Sequence, residues 1–429
     1  MKTKFYTLTL LLIGLGFFFS CNQEQSTDVE KTTQTKKEVT AKDILGNPAY
    51  PAISFGGYRQ KTREIQPTVE ELKEDMQILH AMGIRVVRTY HTKRIHATNV
   101  LEAIHQLKGE NPGFEMYAMV GVWIDCANAW TDQPNHEDED VEENAAEIKR
   151  AVDMANKYPD IVKIIAVGNE AMVKWAATYY VQPRVILKWV NHLQELKKTK
   201  KLSKDLWITS SDNFASWGGG DAEYHVPDLE ALMKAVDYIS LHTYPMHDTH
   251  YNPAFWGSLE EEAQLPDLEK IDKVMTRAKE YAMSQYQNTV NYMQSLGIEK
   301  PVHIGETGWA SFSNGFYGDG GSKATDEYKE GLYYHKMREW TKSEGISCFY
   351  FEAFDEIWKD AKNPGGSENH FGLFTIDGQA KYAVWDLVDK GVFKGLTRGG
   401  KTIEKTYKGE KEALLKEVKL PPMKPVEAL

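Results

Sequence analysis

Two glutamates, Glu170 and Glu306, each close a short apolar run, Ile164-Ile165-Ala166-Val167-Gly168-Asn169-Glu170 and Val302-His303-Ile304-Gly305-Glu306. A strand that runs into a glycine-containing turn presents its last side chain at the mouth of a sheet or barrel, where the active sites of α/β proteins collect. Two carboxyl groups delivered there have the chemistry to cleave a glycosidic bond. One protonates the departing oxygen while the other attacks the sugar or activates water.

The elements that must position this pair recur along the chain. Strand-like runs fall at 53–55, 86–90, 116–122, 161–167, 206–210, 238–241, 302–304 and 348–351. Stretches with apolar spacing of three and four fall between and after them, at 69–82, 100–107, 145–158, 185–196, 229–236, 271–296, 328–340 and 384–388. Strict alternation of eight strand-helix units predicts an α/β fold, a single (β/α)8 TIM barrel over residues 44–391. Glu170 then follows the fourth strand and Glu306 the seventh, so a shared cleft is expected. The last segment, 392–429, breaks the pattern with nine Lys or Arg against five Glu, and Gly399-Gly400 suggests a turn between two short strands. It is expected to pack on the barrel as a C-terminal extension.

Ahead of the barrel, Lys2 and Lys4 precede an apolar stretch, 5–19, that is too short and too early for a membrane span. It ends Phe18-Phe19-Ser20-Cys21, a small residue directly before cysteine. Residues 1–21 therefore read as a lipoprotein signal peptide with Cys21 as the lipidated residue, a plain signal peptide being the alternative. Several acyl chains on one residue anchor stably. The segment 22–43 is polar and reads as a flexible tether. The expected location is a bacterial membrane, the outer membrane, facing the cell surface or the periplasm.

The net charge is -11, so no basic field attracts nucleic acid. Of three cysteines only Cys126 and Cys348 remain beyond Cys21, which excludes a disulfide framework. A monomer is expected. Arg88 and His91 after strand two, and His242, His247 and His250 after strand six, invite a metal-site reading. Strand one ends in Gly56-Gly57-Tyr58 without a His-x-His pair, so these histidines read as loop or cleft residues, and neither a metal nor a cofactor is expected. No Gly-x-Ser-x-Gly elbow supplies a serine nucleophile.

A sugar ring carries apolar axial C–H groups that a flat aromatic face covers. Tyr58, Tyr90, Trp123, Tyr244, Trp309 and Trp358 follow predicted strands, while Trp130, Trp217, Phe316 and Tyr317 lie in the loops beyond. Tyr58 and Tyr244 are the preferred sugar contacts, with Tyr90 and Trp309 beside them.

Four motifs in order carry a resemblance: Val167-Gly168-Asn169-Glu170, Gly305-Glu306-Thr307-Gly308-Trp309, Phe351-Glu352-Ala353-Phe354-Asp355-Glu356-Ile357-Trp358-Lys359, and Asn369-His370-Phe371-Gly372-Leu373-Phe374. Together they make the chain, over roughly 44–390, resemble glycoside hydrolase family 17, the β-1,3-glucanases and their relatives. Ala310 and Ile357 stand where proline is frequent in that family, which bears on loop shape and so on fine specificity. The resemblance implies a retaining double displacement, with Glu306 as nucleophile and Glu170 as acid and then base. It implies that Asn169 bonds the sugar 2-OH and that Glu356, Lys359 and Glu368 form a polar cluster near the acid. The substrate it implies is a β-1,3-glucan of the laminarin type, cleaved internally. A β-1,3-glucanosyltransferase uses the same intermediate and is the alternative, followed by a non-catalytic glycan-binding lipoprotein.

Overall fold

The computed structural model describes residues 38–424. The signal segment, Cys21 and residues 22–37 of the expected tether lie outside the described residues. From Val39 onward the chain forms one compact unit.

Its centre is a closed barrel of eight parallel strands: β1 (Ala52–Ser54), β2 (Val86–Arg88), β3 (Tyr117–Val122), β4 (Val162–Asn169), β5 (Trp207–Asn213), β6 (Ile239–His242), β7 (Val302–Gly308) and β8 (Cys348–Phe351). Each strand pairs with its neighbours in sequence, and β8 returns to β1 through Ala52↔Phe349 and Ile53↔Tyr350. The near-continuous apolar run of β4 follows from burial on both faces, as parallel strands require. Ile164 and Ala166 turn into the barrel beside Met119, Tyr238 and Phe349, whereas Ile165 and Val167 join the core under the helices. The first barrel helix, Val69–Ala81, starts at a capping box of Thr68 and Glu71 and buries Leu72, Met76 and Leu79 along one stripe.

The fold begins earlier than the expected boundary at residue 44. Thr40 and Asp43 form a capping box for the short helix Ala41–Ile44, whose Ala41 and Ile44 are fully buried. With Leu45 they plug the N-terminal end of the barrel against Val86, Tyr117 and Phe349. A four-residue helix that caps its own N-terminus in polar sequence resembles a tether in composition alone. Two further elements depart from expectation: a hairpin of Cys126–Ala127 with Asn135–Glu139, and a helix Pro245–Tyr251 after β6. The second hairpin strand is Asn-His-Glu-Asp-Glu, largely solvent-facing, so it carries no apolar alternation to reveal it.

The C-terminal segment packs against the barrel. Thr397–Arg398 and Lys401–Thr402 form a hairpin around Gly399-Gly400, both at positive φ. Arg398 is buried and reaches Asp75 on the first barrel helix at 2.9 Å. Thr406 bonds Glu327, and Lys329 Nζ donates to the Lys419 carbonyl at 2.7 Å. Among the described residues no helix is long and apolar enough to cross a membrane.

Candidate active site

The C-terminal ends of β2, β4, β5, β6 and β7 converge on one polar layer. Register puts Asn169 opposite Ser211, Asn213 opposite His242, and His242 opposite Glu306. Both carboxylate-bearing ends depart from regular pairing. The β4–β5 register shifts between Ala166 and Asn169, and the β6–β7 register shifts between Leu241 and His242. Such shifts re-aim side chains at the rim of a barrel. Gly168, at φ 84, supplies the turn that lets Asn169 and Glu170 swing over the mouth.

Glu306 is held from three sides. Arg88 Nη1 donates to its Oε1 at 2.6 Å, the Tyr244 hydroxyl donates to its Oε2 at 2.8 Å, and His242 Nδ1 lies 3.6 Å from that same oxygen. Burial pushes this carboxyl up, but the imidazole, the guanidinium and the tyrosine hydroxyl outweigh it and leave Glu306 below the usual glutamate range. It is a carboxylate built to stay ionised. Beneath it Gly305 leaves room for two serines, because a Cβ there would sit 2.2 Å from Ser240 Oγ and 2.5 Å from Ser211 Oγ and would force both hydroxyls to turn.

Glu170 is held differently. Its backbone is in the left-handed region at φ 46, an uncommon conformation for a residue with a side chain, and its N–H donates to the Ser211 carbonyl at 3.0 Å. The side chain is 26% exposed against 7% for Glu306, and its Oε1 lies 3.1 Å from His242 Nδ1. Behind it, Asp212 accepts from Met172 N at 2.8 Å and so fastens the segment that follows Glu170. Burial pushes the Asp212 carboxyl up to about 6, against the pull of Ser216 and Met172.

The tautomer of His242 follows from its neighbours. Nδ1 faces carboxylate oxygens of Glu170 and Glu306, which accept, so Nδ1 carries a proton. On the other side of the ring Nε2 shares a hydrogen bond with Ser211 Oγ at 2.7 Å, with Ser240 Oγ 2.9 Å behind it. The Nδ1–H points at the two glutamates together. Arg88 spans the layer in the same way, since Nη2 donates to Asn169 Oδ1 at 2.6 Å while Nη1 holds Glu306. With its oxygen engaged, the Asn169 amide has its NH2 for a ligand.

The expected sugar contacts divide. Tyr244 is in the cleft, but its hydroxyl is engaged by Glu306, so it acts on the carboxylate first. Tyr90 is half-buried beneath the cleft, with Arg88 Cζ 4.8 Å from its ring centroid and Phe351 against its edge. Trp309 is a correction: it is fully buried, its Nε1 donates to the Ala324 carbonyl at 2.8 Å, and it packs on Trp256 and Tyr333. It sits three residues past Glu306, already over the helix ring. Tyr58 is a second correction, being 3% exposed and stacked on His96 at 4.9 Å.

The expected cluster near the acid also divides. Lys359 Nζ lies 2.5 Å from Glu352 and 3.4 Å from Glu356, and Glu356 accepts from Tyr58 N at 2.9 Å. This group belongs to the β8–β1 side, whereas Glu170 belongs to β4 and is held by His242; Glu356 and Lys359 therefore do not grip the acid. Glu368 pairs with His247 at 3.5 Å. Burial pushes the His247 imidazole down, but Glu368 and the charges of Glu170 and Asp248 outweigh it and keep its proton affinity above the usual range. His250 stacks on Phe316 at 4.1 Å.

Arg88 and His242, read from sequence only as would-be metal ligands or loop residues, are thus central to the site, and Ser211, Ser240 and Asp212 went unnoticed. The available signal was position: each lies in a barrel strand at or close to its C-terminal end, and barrel strands present such residues toward the mouth. Among the described residues no group of three or more His, Cys, Asp or Glu is arranged to hold a metal ion.

Comparison with known proteins gives a consistent picture. Residues 52–372 match the BtgE/BtgC glycoside hydrolase domain. The chain is similar to the crystal structure of an endo-laminarinase from Formosa Hel1_33_131, at 68% identity and TM-score 0.90, covering 91% of this chain and 100% of that one. An active-site mutant of a Rhizomucor miehei β-1,3-glucanosyltransferase in complex with laminaritriose shares the fold, at 22% identity and TM-score 0.54, over 78% of this chain and 96% of that one. A glucan 1,3-beta-glucosidase of Arthroderma benhamiae is 26% identical over 320 residues, 73% of this chain and 83% of that protein. A probable glucan endo-1,3-beta-glucosidase of Aspergillus terreus is 22% identical over 350 residues, 77% of this chain, and there the chain spans 45% of its relative's length.

Proposed function

The chain belongs to the BtgE/BtgC glycoside hydrolase family, and on that premise we propose that it is an endo-acting β-1,3-glucanase of the laminarinase type, a retaining enzyme within glycoside hydrolase family 17. The observation that carries the reading is one imidazole nitrogen, His242 Nδ1, 3.1 Å from Glu170 and 3.6 Å from Glu306. Two carboxylates that converge on one nitrogen fit the close carboxyl spacing of retaining enzymes, about 5 to 5.5 Å.

In this mechanism Glu306, kept ionised by Arg88 and Tyr244, attacks the anomeric carbon. Glu170 gives its proton to the glycosidic oxygen as the C–O bond breaks. The Asn169 amide, aimed by Arg88, donates to the 2-OH, an interaction that strengthens in the transition state. Forming the glycosyl ester removes the charge of Glu306, and Glu170, now a carboxylate, takes a proton from water as that water attacks. Glu306 is released and Glu170 is protonated again. These steps draw on the two carboxyl groups, their holders and one water.

The test is proton NMR of laminarin digestion. The first new reducing ends appear as the β-anomer, and an initial α-product would refute retention. Oligosaccharides longer than the starting material would move the reading to a glucanosyltransferase, where a second glucan rather than water takes the sugar.

We further propose that the protein acts as a monomer held at the bacterial outer membrane by acyl chains on Cys21, from the signal pattern of Lys2, Lys4, the apolar stretch 5–19 and Ser20-Cys21. Metabolic labelling with a palmitate analogue should mark the wild type and not Cys21→Ala, which should leave the membrane fraction.

A further inference from the structure

The loops after β3 and β4 carry an aromatic surface that the steps above do not use. Trp130 is 60% exposed, yet it is held at its indole nitrogen, at its backbone and on one ring face. Its indole Nε1 lies 3.2 Å from each oxygen of Asp125, its backbone N–H donates to the Thr178 carbonyl at 2.8 Å, and its ring stacks on Tyr179 at 4.9 Å with a 21° tilt. Trp123 donates to the same Asp125 at 2.8 Å and packs on Tyr179 at 5.1 Å. The hairpin of Cys126–Ala127 and Asn135–Glu139 frames this group.

Trp130 also has φ 65, in the left-handed region. A large side chain there is strained, and leaving an indole face in water forgoes the gain of burying it. A chain that accepts both, and adds a carboxylate to hold the ring still, has a flat apolar platform with an acceptor at its edge. Those are the two things a glucosyl ring requires: a face for its axial C–H groups and a partner for its hydroxyls.

The platform shares a loop with the acid. Tyr179 stands in the loop that begins at Glu170, and its hydroxyl is pushed up by burial and then by the charges of Glu170, Asp212 and Glu306. In a ring of eight strands β3 lies opposite β7, so the surface faces the nucleophile across the mouth and adjoins the acid. The sugar next to the acid is the one that leaves.

We infer that Trp130 and Tyr179, with Trp123 and Asp125, form a glucosyl-binding subsite for the leaving-group and acceptor side of the glucan. The inference rests on the β-1,3-glucanase reading above. It makes the subsite a determinant of chain-length preference and of how well a second glucan competes with water for the glycosyl-enzyme.

The test compares kcat/KM on laminarihexaose with kcat/KM on β-laminaribiosyl fluoride, whose leaving group has no ring to bind. Trp130→Ala should lose roughly tenfold on the hexaose, the equivalent of one good ring contact, and nothing on the fluoride, whose turnover also reports that the variant is folded. Trp130→Phe, which keeps a ring face, should recover most of the loss. Equal losses on both substrates, or none on either, would overturn the subsite while leaving the glucanase reading intact. A wild-type protein that turns over neither substrate would overturn both.

Discussion

The ends of β4 and β7 deliver the same side chain to the same cleft by opposite means. Glu306 lies inside its strand, two residues short of the end, is almost wholly buried, and is gripped by a guanidinium, a phenol and an imidazole. Glu170 stands one residue past its strand, in a left-handed conformation, nearly four times as accessible and held through its side chain by His242. A nucleophile must keep one charge state and one position until it attacks, whereas an acid that becomes a base must exchange protons with a leaving group and then with water. The rigid, donor-rich setting suits the first task and the open setting the second.

Removing the two carboxylates is the largest perturbation of that contrast. Glu306→Ala should abolish turnover of every β-1,3-glucoside, a loss of about 10⁴-fold or more. Residual rates within tenfold of wild type would end its assignment as nucleophile. Glu170→Gln should lose about 10² to 10⁴-fold on laminarin, with much of the loss recovered on aryl β-laminaribioside, whose leaving group needs no acid. Equal losses on both substrates would erase the distinction.

Changing the holders sharpens it. His242→Ala removes the one donor common to both ends and should cost about 10 to 100-fold, the worth of a hydrogen bond to a charged group. If the imidazole serves both carboxylates, both limbs of the pH–rate profile move; movement of one limb would assign it to one alone. Tyr244→Phe should cost about tenfold and shift the acid limb. Activity needs ionised Glu306 and is lost as pH falls through its depressed pKa. Deleting a group that lowers that pKa must carry the limb to higher pH, and an unmoved limb would detach Tyr244 from the nucleophile. Trp309→Phe should have the smallest effect on activity, leaving KM unchanged while lowering Tm, since it loses only a core bond to Ala324. A raised KM would restore it to the sugar site.

The barrel was legible from sequence because parallel strands buried on both faces must be almost wholly apolar, and a short run such as 161–167, closed by a glycine turn, has the length and composition of such a strand. The two glutamates were legible for the same reason, as charges at the ends of those runs. What escaped was whatever depended on which side of a strand end faces which neighbour. Trp309 and Tyr58 satisfied the rule that strand-end aromatics bind sugars, yet both point into packed surroundings. His242 failed a metal test and was set aside, although its register opposite Glu306 makes it the hinge of the site. The Trp130 platform depends on a charged hairpin whose sequence shows no strand period.

The tie between Arg398 and Asp75 bears on how such a barrel comes apart. The β1–β8 ladder is registered at only two positions, against five between β3 and β4, so the ring has a short seam. The C-terminal segment crosses from the helix Val69–Ala81, through Arg398, to the helix Glu327–Ser343, through Thr406 and Lys419. It therefore works as a clasp over that seam. It acts beside Arg338, which donates to the Cys348 carbonyl at 2.9 Å and to the Ala52 carbonyl at 2.6 Å and so bridges the same two strands. A single proteolytic cut at Gly399-Gly400 should therefore weaken the clasp and lower Tm while the ladder and Arg338 keep the ring closed.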